Sequence, residues 1–311
     1  MITHTSEHPG MSFYLARHGE SYGNAGTLSQ GRGEDSPDTP NGLTPKGKFQ
    51  IEAAVFALSA AGIEVRYVSN SSLTRARESA VAFVNASLDP KPQLVGDVAP
   101  DQEDGLKEIS QKGWEGIHHR ERTKQLRTEK LQRFMGSLSL TDQLDQDDIT
   151  GYAAWIMRLG NEGSDGGESP LGGALRGIVA LEEHGVQPGE LIFSHAMLNR
   201  YIDTIATTVD GNGRQELRHL LADQSLPEST RSVAVIRLLK EHGVKDFKTH
   251  DNAANRQANG GATSYIINPA SGQWIAGRRI EPPLTGDEHA YREYTFNTKS
   301  KKWELATPDY K

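Results

Sequence analysis

The chain has 311 residues, with 41 acidic against 34 basic side chains, a net charge of −7 and no cysteine. Such a length can bury a sizeable core as one elaborated domain or two smaller ones, and the missing cysteines exclude disulfides, thiol nucleophiles and thiolate metal sites. The acidic balance argues against nucleic acid as the main partner, and no apolar run of about eighteen residues predicts a membrane span.

Read in chain order, Met1 to His8 lacks the basic and then apolar pattern of a secretory leader, so a cytoplasmic setting is expected. The first element is a short buried strand ending in Phe13-Tyr14-Leu15-Ala16. It stops at Arg17-His18-Gly19-Glu20, with Ser21 and Asn24 just beyond. Gly19 allows a tight turn and a close backbone approach to a ligand. The carboxyl end of a strand in an α/β sheet is where ligands usually bind. A neutral imidazole can act as a nucleophile, and the adjacent arginine offers a planar fork suited to phosphate oxygens. This stretch resembles the signature of the histidine phosphatase superfamily, the phosphoglycerate mutase-like proteins, in the branch with an Arg-His-Gly-Glu motif.

A turn-rich loop, Gly31 to Gly42 with Arg32 in it, leads to a second element. Thr44 reads as a helix N-cap with Pro45 at the first helical position. Phe49, Ala53, Phe56, Ala57 and Ala60 recur on one face, which predicts the buried side, and Gly62 ends the helix. Leu43-Thr44 and Gly47 are similar to the family segment that follows the phosphate loop. Val65 to Val68 reads as the next strand. It enters Ser69 to Ala80, where Ser72 is the expected N-cap of a helix to about Asn85 with Arg75 in its first turn. A helix N-terminus favours anions, and an arginine there strengthens it. The Arg75-Ala76-Arg77 run resembles the family's second arginine motif, which implies that Arg75 binds phosphate.

Leu106-Lys107-Glu108 through Gly113-Trp114-Glu115-Gly116 is similar to the family stretch whose first glutamate protonates the leaving group. The resemblance therefore gives that role to Glu108, while Glu115 reads as structural. Repulsion from a dianionic phosphate would raise the Glu108 pKa and keep its proton available. Residues 117–165 read as an insertion. A helix from Arg120 to Met135 carries six basic and two acidic residues, and an apolar patch follows at Tyr152, Trp155, Ile156 and Leu159. A charged helix is usually a solvated face. The sharper expectation is a cap whose Arg120, Arg122 and Lys124 attract an anionic substrate, with His118 at its base.

Gly167-Glu168-Ser169 resembles the opening of the family's next helix, which runs to His184. Glu183-His184-Gly185 and Glu241-His242-Gly243 read as cationic last turns with glycine caps. Glu190 to Phe193 is a second apolar strand, ending in Ser194-His195 before another helix. It resembles the family's second histidine motif, with Ala196 where glycine is usual. Residues 209–258 read as a second insertion. Asn259 to Ile267 resembles a late family strand, Trp274 to Ile280 could pair with it, and about 287–307 suggests a terminal hairpin.

The resemblance implies a three-layer α/β/α sandwich with a mostly parallel sheet and helical cap insertions, as one domain over residues 1–311. It implies phosphoryl transfer through His18, with Arg17, Arg75, His195 and Glu108 as the other catalytic residues. Asn24, Ser21, Arg32, Ser194 and His118 are the expected substrate-binding or loop-orienting residues. No metal or other cofactor is expected, because arginines and histidines supply the positive charge. The expected partner is a small-molecule phosphate ester, without nucleic acid or membrane, and homodimerisation stays open. No tryptophan precedes Trp114, whereas sugar-acid mutases of the family carry one soon after the first motif. That favours a phosphatase over a mutase, and the presence of all five catalytic residues favours it over an idle scaffold.

Overall fold

The structure, a computed structural model of the chain, describes residues 12–28, 30–31, 41–98, 105–111, 152–157, 167–244, 257–282, 292–297 and 302–306, with Glu115 and Gly136. Arg32, His118 and the basic segment from Arg120 to Met135 lie outside the described residues.

An eight-stranded sheet forms the middle layer. Its strands are β1 (Phe13–Arg17), β2 (Tyr67–Asn70), β3 (Gln93–Asp97), β4 (Glu190–Ser194), β5 (Ala262–Ile267), β6 (Trp274–Glu281), β7 (Arg292–Asn297) and β8 (Lys302–Leu305). Their order is β3-β2-β4-β1-β5-β6-β7-β8. The first four strands pair in parallel. From β1 onward every pairing is antiparallel. The sheet is thus mixed rather than mostly parallel. The physical reason is connection length: β1, β2 and β4 are separated by helices that carry the chain back across the sheet, whereas β5 to β8 follow one another directly as neighbours.

Alternation along β1 feeds two cores. Phe13 and Leu15 point to one face, with Ile192, while Tyr14 and Ala16 point to the other, with Leu191 and Phe193. The second face is covered by α2 (Pro45–Ala60) and α3 (Thr74–Ala86), the first by α4 (Pro170–His184) and α5 (Ala196–Thr208). Two further helices, α6 (Gly211–Ala222) and α7 (Glu228–Glu241), add Leu217, Val235 and Leu239 to the same side as α4. A single turn, α1 (Tyr22–Ala25), follows β1. The α/β sandwich is therefore present, and no helix among the described residues is long and apolar enough to cross a membrane.

Three local expectations meet the structure differently. Thr44 caps α2 by accepting from the Gly47 amide, with Pro45 next, as the sequence suggests. The buried face of α2 is Ile51, Ala54, Val55, Ala57 and Leu58, whereas Phe49 and Phe56 are 63% and 65% exposed. Both faces are apolar, so periodicity alone could not choose. The aliphatic row is the one that packs with Ala76 and Ala80 of α3. At α3 the cap is Leu73, not Ser72, because the chain stays extended one residue longer; Arg75 still falls in the first turn. Within 117–165, helical residues 152–156 are part of the core: Trp155 meets Tyr201 edge-on, and the Tyr152 hydroxyl donates to the Val244 carbonyl at 2.7 Å.

Candidate active site

β1 and β4 are adjacent and parallel, with Arg17 opposite Ser194 in register. Both strands therefore end at the same level, and both end in a histidine. His18 and His195 rings lie 5.3 Å apart, centre to centre. The His18 amide donates to the Ser194 carbonyl at 3.1 Å, which fixes the two strand ends together.

The His18 ring is buried, and its Nδ1 lies 2.6 Å from the Gly19 carbonyl oxygen. A carbonyl only accepts, so Nδ1 carries the proton and the Nε2 lone pair is available. Arg75 Nε donates to that Nε2 at 3.3 Å, and Arg75 Nη2 donates to the Gly31 carbonyl at 3.1 Å. Burial, then the Arg75 and Arg17 charges, push the His18 pKa well below its usual value. The ring is neutral at physiological pH, the form a nucleophile needs.

His195 is the N-cap residue of α5 and is fully buried. Its Nε2 lies 3.0 Å from the Ser71 hydroxyl, and its Nδ1 has no hydrogen-bond partner among the described residues. Burial first, then the Arg75 charge, lower its pKa well below the usual range.

Glu108 is buried at the amino end of α5. Its Oε1 accepts from the Ile109 and Leu198 amides at 2.9 and 3.0 Å, and its Oε2 from the Met197 amide at 3.3 Å. Burial raises its pKa, opposed by these amides and the Arg75 charge. The Arg75 charge lowers the pKa of His18, His195 and Glu108 alike. Arg176 positions the segment before Glu108 by donating to the Gly105 and Lys107 carbonyls while paired with Glu168.

The loop after β1 is clamped from both sides. The Gly19 amide donates to Ser79 Oγ at 3.1 Å, and Ser79 in turn donates to the Arg75 carbonyl. Glu20 pairs with Lys46 and accepts from Thr44, so the motif's glutamate fastens the loop to the start of α2. A Cβ on Gly47 would stand 2.0 Å from the Glu20 carbonyl oxygen, and one on Gly19 2.4 Å from the Gly47 oxygen. Backbone meets backbone there, so neither neighbour can swing aside. Gly47→Ala is expected to cost about 1–3 kcal/mol of stability and to disturb the His18 loop, read by chemical denaturation beside an activity assay.

Among the second-tier candidates, Ser21 donates from its hydroxyl to Gln30 Oε1 at 2.6 Å, and Asn24 Nδ2 donates to the same oxygen at 3.0 Å. Both organise the loop around Gln30. Ser194 is buried and offers its carbonyl to His18. Arg32 and His118 lie outside the described residues. Glu115 lies against Gly31, whose carbonyl Arg75 grips, a structural position. Residues the sequence did not single out include Ser79, Asn199, Arg176 and Gln257, whose contacts are distant along the chain.

Two strand-end histidines, two arginines and a buried carboxyl lie towards the carboxyl ends of the central strands, a set of groups able to hold an anion and move a proton. The family model of the histidine phosphatase superfamily (branch 1) matches residues 13–139 of the chain. This supports an enzyme of the phosphatase or phosphotransferase type. Among curated proteins none matches the chain. Among solved structures, "mycobacterial hydrolase 1" is 16% identical at a TM-score of 0.49, with 86% of this chain and 96% of that one covered. A native mycobacterial glucosyl-3-phosphoglycerate phosphatase is 17% identical at 0.48, over 86% and 97%. The α-ribazole phosphatase from Shigella flexneri is 18% identical at 0.45, over 86% and 95%. At these scores the chemistry has to be argued from the site itself.

Proposed function

We propose that the protein is a phosphatase that hydrolyses a phosphate monoester of a small molecule, without a metal, through a phosphohistidine on His18. The observation that carries this reading is the bond from His18 Nδ1 to the Gly19 carbonyl. It leaves the Nε2 lone pair facing Arg75 in a pocket shared with His195 and Glu108.

In the first step His18 Nε2 attacks phosphorus, an N–P bond forms, and the bond from phosphorus to the leaving oxygen breaks. Glu108 gives its proton to that oxygen, releasing an alcohol. Oε2 is the place for that proton, since Oε1 already takes two amides and Oε2 one weaker one. In the second step water attacks phosphorus, its proton passes to Glu108, and the N–P bond breaks to release inorganic phosphate. Arg17 and Arg75 supply positive charge to the equatorial oxygens as negative charge spreads over them. If Ser71 donates its hydroxyl proton to His195 Nε2, the proton on Nδ1 is left for a phosphate oxygen.

Phosphate release from an aryl phosphate with EDTA present is the direct test. Release that survives the chelator is expected. Isomerisation of a phosphoglycerate without release of phosphate would replace the phosphatase reading with a mutase one.

A further inference from the structure

Arg17 is seated in part by one turn that lies 240 residues away in sequence. Its Nη1 donates to the Gln257 carbonyl at 3.0 Å, and its amide donates to the Gly261 carbonyl at 3.0 Å. Its own carbonyl accepts from the Gly260 amide at 3.0 Å. The turn is held by the buried side chain of Gln257. Nε2 donates to the Leu15 carbonyl at 2.8 Å, and Oε1 accepts from Asn199 Nδ2 at 3.1 Å. Nε2 also lies 3.4 Å from Thr263 Oγ1. Gly260 has a φ of +76°, and a Cβ there would stand 2.9 Å from the Gln50 oxygen, so the turn needs glycine where it passes the α2 backbone.

The carboxamide thus ties three elements together: β1 two residues before Arg17, α5 four residues after His195, and β5. An amide suits this point because it donates and accepts at once; a carboxylate or an alkyl chain does only part of it. Without the carboxamide the buried Leu15 carbonyl loses this donor and one Asn199 amide hydrogen loses its acceptor, the Asn199 bond to the Ala16 carbonyl remaining, so the turn would shift to find other partners.

We propose that Gln257 is a positioning residue for phosphate chemistry: it fixes the turn whose carbonyl aims the Arg17 guanidinium at the equatorial oxygens. The inference rests on the phosphatase reading above. Its consequence is selective. An arginine fork a few tenths of an ångström out of place still attracts an anion, but it meets the charge pattern of phosphoryl transfer less well.

The test is a double-mutant cycle read by calorimetric binding of inorganic phosphate and of orthovanadate, which takes up the five-coordinate geometry of the transferring group. In the parent protein, Gln257→Met is expected to weaken orthovanadate about tenfold and phosphate less than about threefold. With Arg17→Ala already in place, Gln257→Met is expected to change neither. Should Gln257→Met fail to fold, Asn199→Ala removes a bond from the other side and is expected to give the same pattern. Equal losses with and without Arg17, or no loss at all, would overturn the positioning role alone. A parent protein that binds neither anion would overturn the phosphatase reading and this inference together.

Discussion

His18→Ala is expected to abolish phosphate release, lowering kcat at least about 10⁴-fold, because it removes the nucleophile of the covalent route. His195 is as buried and as neutral, yet it caps α5 and faces Ser71. Replacing His18 removes the nitrogen that its Gly19 bond leaves with a lone pair; Arg75 loses that one acceptor but keeps its charge and its bond to the Gly31 carbonyl. Anion binding should therefore persist while turnover disappears. Retained turnover in the variant would move the nucleophile elsewhere. The acid side of the rate profile follows from the same residue. Its pKa is pushed down by burial and then by the Arg75 and Arg17 charges, so the neutral form persists and kcat/KM of the parent should hold below pH 6.5. Stability has the opposite dependence. The unfolded chain takes up a proton here as pH falls from about 6.5 and the folded one resists it, so both histidines make the protein less stable on acidification.

Glu108→Gln is the second large effect, a fall of about 10²- to 10⁴-fold in kcat for substrates with poor leaving groups. The amide keeps the shape of the carboxyl. Its oxygen can remain between the Ile109 and Leu198 amides, and only the 3.3 Å bond from Met197 is lost. What disappears is the proton. The loss should shrink with a nitrophenyl leaving group, which departs without protonation. The alkaline limb of the kcat profile should vanish as well. Burial raises the Glu108 pKa, so in the parent the acid form fails as pH climbs through that raised value, and an amide has no such step. A variant with equal losses for good and poor leaving groups would remove Glu108 from the proton-donor role.

What could be read from the sequence follows the range of the interactions. His18 and His195 are legible because a strand and its end are local, and an apolar run that stops at a histidine needs no knowledge of the rest. That β1 and β4 would be neighbours is not local, but two such ends in one α/β domain have few other places to go. Arg75 was legible through its position in a first turn, even though the cap proved to be Leu73. The buried side of α2 was not, since two apolar rows compete and only the partner surface decides. Gln257 was invisible for the same reason on a larger scale: nothing near it in sequence indicates that its carbonyl would receive Arg17. The antiparallel pairing of β5 with β1 was missed because chain order says which strands exist, not which way each one runs beside its neighbour.

The sheet order has a further consequence for how the protein is made. β2 and β1 never touch; β4 lies between them and pairs with both. A growing chain that has emerged as far as residue 139 already carries His18, Arg17, Arg75 and Glu108. It has no strand to bridge its own two halves, no α5 amides to receive Glu108, and no turn to seat Arg17. The chemistry is spelled early and assembled late. The last pieces to arrive include Trp303, whose indole N–H donates to the buried Asp203 of α5 at 3.2 Å. A message broken off before the codons of β4 yields a chain that carries His18, Arg17, Arg75 and Glu108 without the strand that joins β1 to β2.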